Sequence, residues 1–226
     1  MVGHSKPQFS ALYIGGGGYT MPRFLELAYP ESRQEVIEID PAVTRVAHEY
    51  LGLPRDTRII MHHHDARMKI PELQAGSYDL VIGDAFNDVS VPYHLTTQEF
   101  NEQVRRLLTR DGIYVVNVVD KFHSGGFLRA VITTLQASFP HVYLLADSKD
   151  FENDNRFTFV VAGAMQPLTY ADVYFASHAE QRGDPELTLM PQDELDDWLG
   201  MRQNTLLTDD YVPVDNLLAP IFLDIP

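Results

Sequence analysis

Acidic residues and glycines recur at the points where apolar segments of this sequence end. They are Gly15–Gly18, Glu38, Asp65, Asp84 and Asp120. In open α/β sheets, ligands bind beyond the carboxyl ends of the strands, so these residues are expected to lie close together. Carboxylates accept hydrogen bonds from hydroxyl and amino groups and balance positive charge, which favours a polar or cationic small-molecule ligand.

The four glycines follow the first apolar segment directly. Glycine lets a backbone approach a ligand closely and leaves amide groups free at the start of a helix, so Gly15, Gly16 and Gly17 are predicted to contact a ligand. A tight turn without a ligand is the alternative interpretation. The run lacks the spacing of a dinucleotide GxGxxG motif, and it lacks the Lys-Ser/Thr pair of a phosphate-binding P-loop.

Glu38 follows the glycine run by about 20 residues, where an acid can accept both hydroxyls of a ribose. Asp40 precedes Pro41, which favours a helix-capping role for it. Asp65 could accept a hydrogen bond from an adenine amino group, with a turn cap as the alternative. These features together predict an adenosine site without phosphate chemistry, as S-adenosylmethionine and its relatives require.

Two further carboxylates, Asp84 and Asp88, follow the fourth apolar segment, Tyr78–Gly83. A carboxylate there could accept a proton from a nucleophilic amine or hold a cationic substrate. Capping of the following turn is the alternative for both residues.

The composition excludes several classes of protein. The 226 residues contain 17 Lys+Arg and 32 Asp+Glu, a net charge of −15, which disfavours binding to nucleic acid or anionic membranes. The absence of cysteine excludes disulfides, thiolate nucleophiles and cysteine-based zinc sites. The run His62-His63-His64 is not expected to hold a metal, because consecutive strand residues face alternate sides.

Strand-like and helix-like segments alternate through the first two thirds of the chain. We therefore predict an α/β fold with a doubly wound, mostly parallel sheet and an antiparallel closing strand. Residues 1–9 are interpreted as a leader, 10–165 as a Rossmann-like catalytic domain, and 166–226 as a tail of short helical pieces on the same domain. Asp111-Gly112 predicts a turn into a fifth strand, and Trp198 is expected to serve packing.

Residues 11–163 resemble the aminopropyltransferase family, the spermidine and spermine synthases. The resemblance is carried by the segments Ala11–Gly18, Val36–Val43, His64–Ala66 and Tyr78–Asp84, followed by Leu95–Phe100. It implies a class I S-adenosylmethionine-methyltransferase-type sheet and transfer of an aminopropyl group to putrescine or spermidine. It also implies that Glu38 binds the ribose, that Asp65 and Ala66 lie beside the adenine, and that Asp84 deprotonates the attacking amine.

The sequence departs from the family pattern at three places. Gly18 stands where the family has an aspartate that binds the aminopropyl end, and Asn87 replaces an aspartate that grips the acceptor, with Asp88 one step displaced. The usual N-terminal β-hairpin domain is not expected, since the sheet begins by residue 10. The loop after Asp84 and the ending Leu207–Leu217 most resemble spermidine-synthase-like domains fused to bacterial membrane segments.

The resulting hypothesis is a polyamine-biosynthesis-type transferase acting on S-adenosylmethionine or its decarboxylated form as substrate, without a metal. The acceptor side is predicted to comprise Tyr19, Asn87, Asp88, Tyr93 and Asp120. Three alternatives stay open: a lyase or cyclase without an external acceptor, a methyltransferase, and a non-catalytic sensor of nucleosides or polyamines. The expected location is cytoplasmic, and a membrane segment in a longer protein and a homodimer are left open as partners.

Overall fold

The computed structural model describes residues 8–85, 91–168 and 187–222. The strands are β1 Ser10–Ile14, β2 Arg33–Ile37, β3 Ile60–His62, β4 Tyr78–Gly83, β5 Leu108–Lys121, β6 His141–Asp147, β7 Arg156–Ala164 and β8 Leu187–Leu189. The helices are α1 Thr20–Ala28, α2 Pro41–Tyr50, α3 Ala66–Lys69, α4 Gln98–Leu107, α5 Phe127–Ser138, α6 Gln192–Gly200 and α7 Val214–Phe222. Three short 3-10 turns at Ile70–Glu72, Tyr93–Leu95 and Ser148–Phe151 complete the assignment.

All eight described strands form a single sheet in the order β3-β2-β1-β4-β5-β7-β6-β8. The first five in that order run parallel, and β7 inserts antiparallel between β5 and β6. The predicted mostly parallel, doubly wound sheet with an antiparallel strand is confirmed. The chain moves outward from β1 to β3 and then returns to the other side of β1, which creates a crevice at the carboxyl ends of β1 and β4. In open α/β sheets, ligands bind at such a position.

Strand residues alternate between two packed layers, as the two-residue period of a strand requires. Leu12 and Ile14 of β1 face a large core that includes α4, α5, α6 and α7. Ala11 and Tyr13 face a smaller core that includes Ala47 of α2. Because the sheet is covered on both sides, the strand ends form a fixed platform for side chains.

The fifth strand differs from its prediction. β5 already begins at Leu108, and its register with β4 shifts between the pairs Tyr78–Leu108 and Leu80–Ile113. The predicted Asp111-Gly112 turn therefore lies within an irregular start of the strand. A Cβ on Gly112 would lie 2.8 Å from the Cβ of Leu108, which explains why glycine fits this close backbone approach.

The C-terminal segment contains a strand that its sequence did not reveal. β8 extends the sheet edge by pairing antiparallel with β6. Trp198 of α6 stacks on Phe122 with ring centroids 4.8 Å apart, and the guanidinium of Arg129 lies 3.7 Å from the Trp198 ring. The predicted packing role of Trp198 is confirmed. In the described parts of the chain, no helix is long and apolar enough to span a bilayer.

Candidate active site

The carboxyl ends of β1, β2 and β4 surround a cavity of about 280 Å³. Its walls combine apolar side chains with three of the predicted carboxylates. The carboxylates are Glu38, Asp65 and Asp84, and the apolar lining includes Ile14, Ile37, Ile39, Val43, Ala66 and Leu95. The sheet topology therefore brings together acids that lie up to 46 positions apart in the sequence.

The glycine loop is held in place by contacts that exclude larger residues. Gly15 has φ +102°, and a Cβ there would lie 2.6 Å from the carbonyl oxygen of Asp84. A Cβ on Gly16 would lie 2.7 Å from Cε2 of Tyr19 and 3.1 Å from Oε2 of Glu38. The loop backbone thus packs against the backbone of Asp84 at Gly15 and against the carboxylate of Glu38 at Gly16.

Glu38 is almost fully buried, at 8% exposure, and both of its carboxylate oxygens are oriented by the backbone. Oε2 accepts a hydrogen bond of 2.7 Å from the Gly16 amide, and Oε1 accepts one of 2.9 Å from the Asp40 amide. A carboxylate oxygen has more than one acceptor direction, so Glu38 retains capacity toward the cavity that it lines. Asp40 itself caps α2 by accepting from the Ala42 amide at 2.8 Å, in agreement with its predicted role.

Asp65 both caps a helix and lines the cavity. Oδ1 accepts a hydrogen bond of 2.7 Å from the Arg67 amide and so caps the short helix α3. Oδ2 lies 3.3 Å from Nε2 of His94, and both residues line the cavity. Asp65 therefore acts as the turn cap that the sequence offered as one alternative, while its hydrogen bond with an adenine amino group stays a prediction.

Asp84 follows β4 and has an exposed side chain. Its backbone amide donates to the Ile14 carbonyl at 2.9 Å, which fixes it beside the glycine loop. Its Oδ1 accepts a hydrogen bond of 3.0 Å from Nδ2 of Asn117 on β5. Asn117 thus orients the carboxylate from the neighbouring strand.

A second cavity, of about 450 Å³, lies on the other side of the glycine loop. Gly15, Gly17 and Asp84 line both cavities, so these three residues mark their junction. The remaining wall of the second cavity comes from α1, from the ends of β1 and β4, and from Gly16, Gly18 and Tyr19. This arrangement offers separate places for two reactants, with one carboxylate between them.

Tyr19 connects the glycine loop with α2. It adopts a left-handed conformation with φ 55°, which costs a non-glycine residue about 1–2 kcal/mol. Its hydroxyl lies 2.6 Å from Oγ1 of Thr44, and Nε2 of His63 lies 3.0 Å from the same oxygen. Burial raises the pKa of the Tyr19 phenol, against the opposing effect of the Thr44 hydrogen bond, so the side chain is a neutral phenol.

The other residues predicted for the acceptor side have different surroundings. Tyr93 is 60% exposed and packs edge-to-face against His94. Asp120 is fully buried, and its carboxylate accepts hydrogen bonds from the amides of Lys121 and Leu128 at 2.8 and 2.7 Å. Asn87 and Asp88 lie outside the described residues.

The C-terminal segment contacts the side of the first cavity that contains Asp65 and His94. Arg67 pairs with Asp209 and donates to the His94 carbonyl and the Thr97 hydroxyl at 2.9 Å each. The Thr97 hydroxyl donates to Asp209 at 2.7 Å. Arg67 directly follows Asp65 and Ala66 in the sequence. Asp209 therefore connects this segment to the turn that carries His94.

The three consecutive histidines contact different partners. His62 pairs with the buried Glu35 at 2.9 Å, His63 contacts Thr44, and His64 lines the first cavity. Within residues 8–85, 91–168 and 187–222, no group of three or more acidic or histidine side chains is arranged to hold a metal ion.

Sequence reasoning missed three residues that the structure brings into the site. The sequence assigns Asn117 only to an apolar strand. An amide side chain near the carboxyl end of that strand is nevertheless a local sign of a site residue. His94 and Phe24 carry no such signal, because only the packing of distant segments brings them to the two cavities.

Comparison with known proteins gives an independent view of the same region. A family model described as "Spermine/spermidine synthase domain" matches residues 1–147. The polyamine aminopropyltransferase of Vibrio vulnificus (strain CMCP6) is 38% identical over 108 residues, which cover 47% of this chain and 36% of that enzyme. The human eEF1A lysine and N-terminal methyltransferase is 28% identical over 144 residues, covering 59% of this chain and 20% of that protein.

Among solved structures, a "probable spermidine synthase" from Corynebacterium glutamicum ATCC 13032 superposes with a TM-score of 0.74 at 26% identity. The match covers 88% of this chain and 72% of that chain. The chain spans about a third of the length of the Vibrio enzyme and a fifth of the human one.

Proposed function

The chain belongs to the spermine/spermidine synthase family, and on that premise we propose that it is an alkyltransferase acting on a sulfonium nucleoside. The donor is S-adenosylmethionine or its decarboxylated form, and the acceptor is an amine. The group transferred is the aminopropyl chain from the decarboxylated donor, or the same chain with its carboxylate from S-adenosylmethionine. Methylthioadenosine is the product that leaves. The observation that carries the proposal is the position of Asp84 at the junction of two cavities.

The 280 Å³ cavity is proposed to bind the nucleoside. Glu38 is held by two backbone amides and faces the cavity, which suits acceptance of the two ribose hydroxyls. Asp65 offers acceptor capacity for the adenine amino group, and Ala66 adds a small apolar surface beside it. The apolar wall formed by Ile37, Ile39 and Leu95 suits the faces of a purine.

The proposed reaction is a single displacement at the carbon next to the sulfonium. The acceptor ammonium first gives one proton to the Asp84 carboxylate, which leaves a lone pair on nitrogen. That lone pair forms the new C–N bond while the C–S bond breaks and its electron pair returns to sulfur. The products are neutral methylthioadenosine and a longer protonated amine.

Electrostatics favour this chemistry. Both reactants are cations, and the chain carries a net charge of −15. The Asn117 amide holds the Asp84 carboxylate in one orientation, which reduces the reorganisation needed when the ammonium approaches. The net negative charge speeds the encounter between the protein and its cationic reactants, and the Asn117 hydrogen bond positions the proton acceptor Asp84.

Methyl transfer is the second candidate function. It is favoured by the 28% identity to the human eEF1A lysine and N-terminal methyltransferase over 144 residues. The same nucleoside cavity would serve, but the methyl carbon would then be attacked and S-adenosylhomocysteine would leave.

Product identification separates the candidates. The protein is incubated with each donor, with and without putrescine, spermidine or a monoamine, and the nucleosides and amines are identified by mass spectrometry. Methylthioadenosine together with an alkylated amine supports the proposal. Methylthioadenosine without any acceptor indicates a lyase or cyclase, and S-adenosylhomocysteine indicates methyl transfer; either result would replace the proposal.

A further inference from the structure

The two carboxylate oxygens of Asp65 have different partners, and both partners depend on Arg67. Oδ1 accepts a hydrogen bond of 2.7 Å from the Arg67 amide, and Oδ2 lies 3.3 Å from Nε2 of His94. The guanidinium of Arg67 donates to the His94 carbonyl at 2.9 Å and so holds the turn that carries His94. The orientation of Asp65 at the first cavity therefore depends on where the Arg67 guanidinium lies.

The Arg67 guanidinium is paired with a carboxylate of the C-terminal segment. It contacts Asp209 and donates to the Thr97 hydroxyl at 2.9 Å. Since arginine can only donate, the single hydroxyl proton of Thr97 is left for Asp209, to which it donates at 2.7 Å. Arg67, Thr97 and Asp209 thus form a closed set of three contacts, in which Asp209 supplies the negative charge.

Asp209 is held in place by the segment around it. Its amide donates to Oε2 of Glu99 at 3.0 Å, and the carbonyl of Leu207 accepts the Gln98 amide at 2.8 Å. Leu207 is fully buried, and its own amide donates to Oγ1 of Thr134 on α5 at 3.0 Å. The side chain of Asp209 is 45% exposed, but its backbone is anchored to two helices that cover the sheet.

Without the charge of Asp209, the guanidinium of Arg67 would have another carboxylate close by. Asp65 lies two positions before Arg67, and its Oδ1 already contacts the Arg67 amide. A guanidinium that turned to Asp65 would occupy acceptor directions that a ligand amino group needs, and it would release the His94 carbonyl. Hydrogen bonds between two charged groups are stronger than those from a neutral amino group, so Arg67 would win this competition.

We propose that Asp209 is a positioning residue for recognition of the adenine base. By pairing with Arg67, it keeps Asp65 available to the adenine amino group. This inference rests on the proposed function, in which Asp65 faces the adenine of the donor. It gives the C-terminal segment a part in selecting the base, although that segment does not itself reach the nucleoside.

Two nucleosides that differ in one group test this role. Methylthioadenosine is compared with its deamino analogue, in which hydrogen replaces the 6-amino group of the purine, and the Kd of each is measured by calorimetric titration. The ratio of the two Kd values reports the amino group alone, because the ribose and the thioether are the same. The wild type is expected to favour methylthioadenosine by about 10- to 100-fold, since the amino group donates to a charged acceptor.

Three variants link this ratio to Asp209. Asp209→Asn removes the charge, nearly keeps the shape of the side chain, and is expected to lower the ratio at least about fivefold. Asp210→Asn serves as its control, because it makes the same charge change at the next, exposed position and is expected to keep the wild-type ratio. If Asp209→Asn does not fold, Arg67→Lys replaces it: lysine keeps the charge but lacks the planar fork of donors, and the same fall in the ratio is expected.

The outcomes separate this inference from the proposed function. If Asp209→Asn weakens both nucleosides equally, or lowers only the free energy of unfolding, the role of Asp209 is structural and the inference is wrong. Equal falls in the ratio for Asp209→Asn and Asp210→Asn would also overturn it, because net charge would then set the ratio. A wild-type ratio near one would overturn it too, and in all three cases the transferase proposal stands. A wild type that binds neither nucleoside would overturn both.

Discussion

Glu38 illustrates how one carboxylate can serve both the fold and a binding site. Its two oxygens each accept a backbone amide hydrogen, one from the glycine loop and one from the start of α2. The side chain is therefore fixed before any ligand arrives, which lowers the conformational cost of binding. Because of these contacts, even the replacement of the Glu38 carboxylate by an amide is expected to weaken binding.

Glu38→Gln is expected to weaken nucleoside binding by about 10- to 100-fold, because hydrogen bonds to a charged group contribute about 1.5–3 kcal/mol. The new NH₂ group would also face one of the two backbone donors. Calorimetric titration with methylthioadenosine measures the effect. Asp40→Asn is the matched control, since asparagine also caps helices well, and its affinity should stay at the wild-type value. Equal losses in both variants would contradict the role given to Glu38.

The sequence predicted some of these residues and missed others for a physical reason. Glu38, Asp65 and Asp84 follow strands, and the carboxyl ends of parallel strands meet at one edge of a sheet. Asn117 and His94 reach the site through side-chain contacts with Asp84 and Asp65, respectively. The contact of His94 depends on the packing of distant segments, which no local pattern encodes, whereas Asn117 is signalled by its position near the carboxyl end of a strand.

At the scale of elements, two residues of the glycine loop between β1 and α1 leave no room for a larger side chain. Gly15 has a positive φ and touches the Asp84 backbone, and Gly16 packs against the Tyr19 ring and the Glu38 carboxylate. Because the loop follows β1 directly, the position of β1 helps to fix the positions of Asp84 and Glu38.

Gly16→Ala is expected to lower nucleoside affinity at least about tenfold and to destabilise the fold by about 1–3 kcal/mol, because the new methyl group overlaps Tyr19 and displaces Glu38. Denaturant unfolding and calorimetry measure the two effects. Gly76→Ala is the comparison: Gly76 has φ +66° with nothing within 4 Å of the new Cβ, so stability should fall while affinity stays constant. Wild-type affinity in Gly16→Ala would refute the tight packing inferred for the loop.

Most elements of the first two thirds follow from sequence periodicity, whereas two features of the later sheet do not. The irregular start of β5 is set by its pairing with β4, which local residues do not reveal. β8 has only three residues and exists because β6 offers an edge to pair with. Its short sequence carries too little periodic signal to be recognised alone.

At the scale of the whole molecule, a buried carboxylate joins the sheet to the helical layer. Asp120 at the end of β5 accepts the Leu128 amide in the first turn of α5, and it is fully buried. Burial raises its pKa to about 6, although the backbone hydrogen bonds from Leu128 and Lys121 act in the opposite direction. Its predicted part in acceptor binding stays a prediction, while its contacts describe a link in the fold.

The raised pKa predicts a pH-dependent stability. The folded state holds the Asp120 proton more tightly than the unfolded state, so the contribution is fully present below about pH 4 and is lost as the pH rises through about 6. Two pKa units correspond to about 3 kcal/mol at most. The unfolding free energy of the wild type minus that of Asp120→Asn should fall by up to this amount between pH 4 and pH 7. Parallel curves would contradict the prediction, and a carboxyl-carbon NMR titration of the wild type gives the pKa directly.

The central claim is that Asp84 accepts the proton of an attacking amine at the junction of the two cavities. Its most direct test is the rate of methylthioadenosine release by the wild type and by Asp84→Asn, with saturating donor and amine, beside the affinity of each for methylthioadenosine. The account predicts a kcat about 10²- to 10⁴-fold lower in Asp84→Asn with nucleoside affinity within about twofold of the wild type. An unchanged kcat, or a loss of turnover fully explained by lost nucleoside binding, would contradict it.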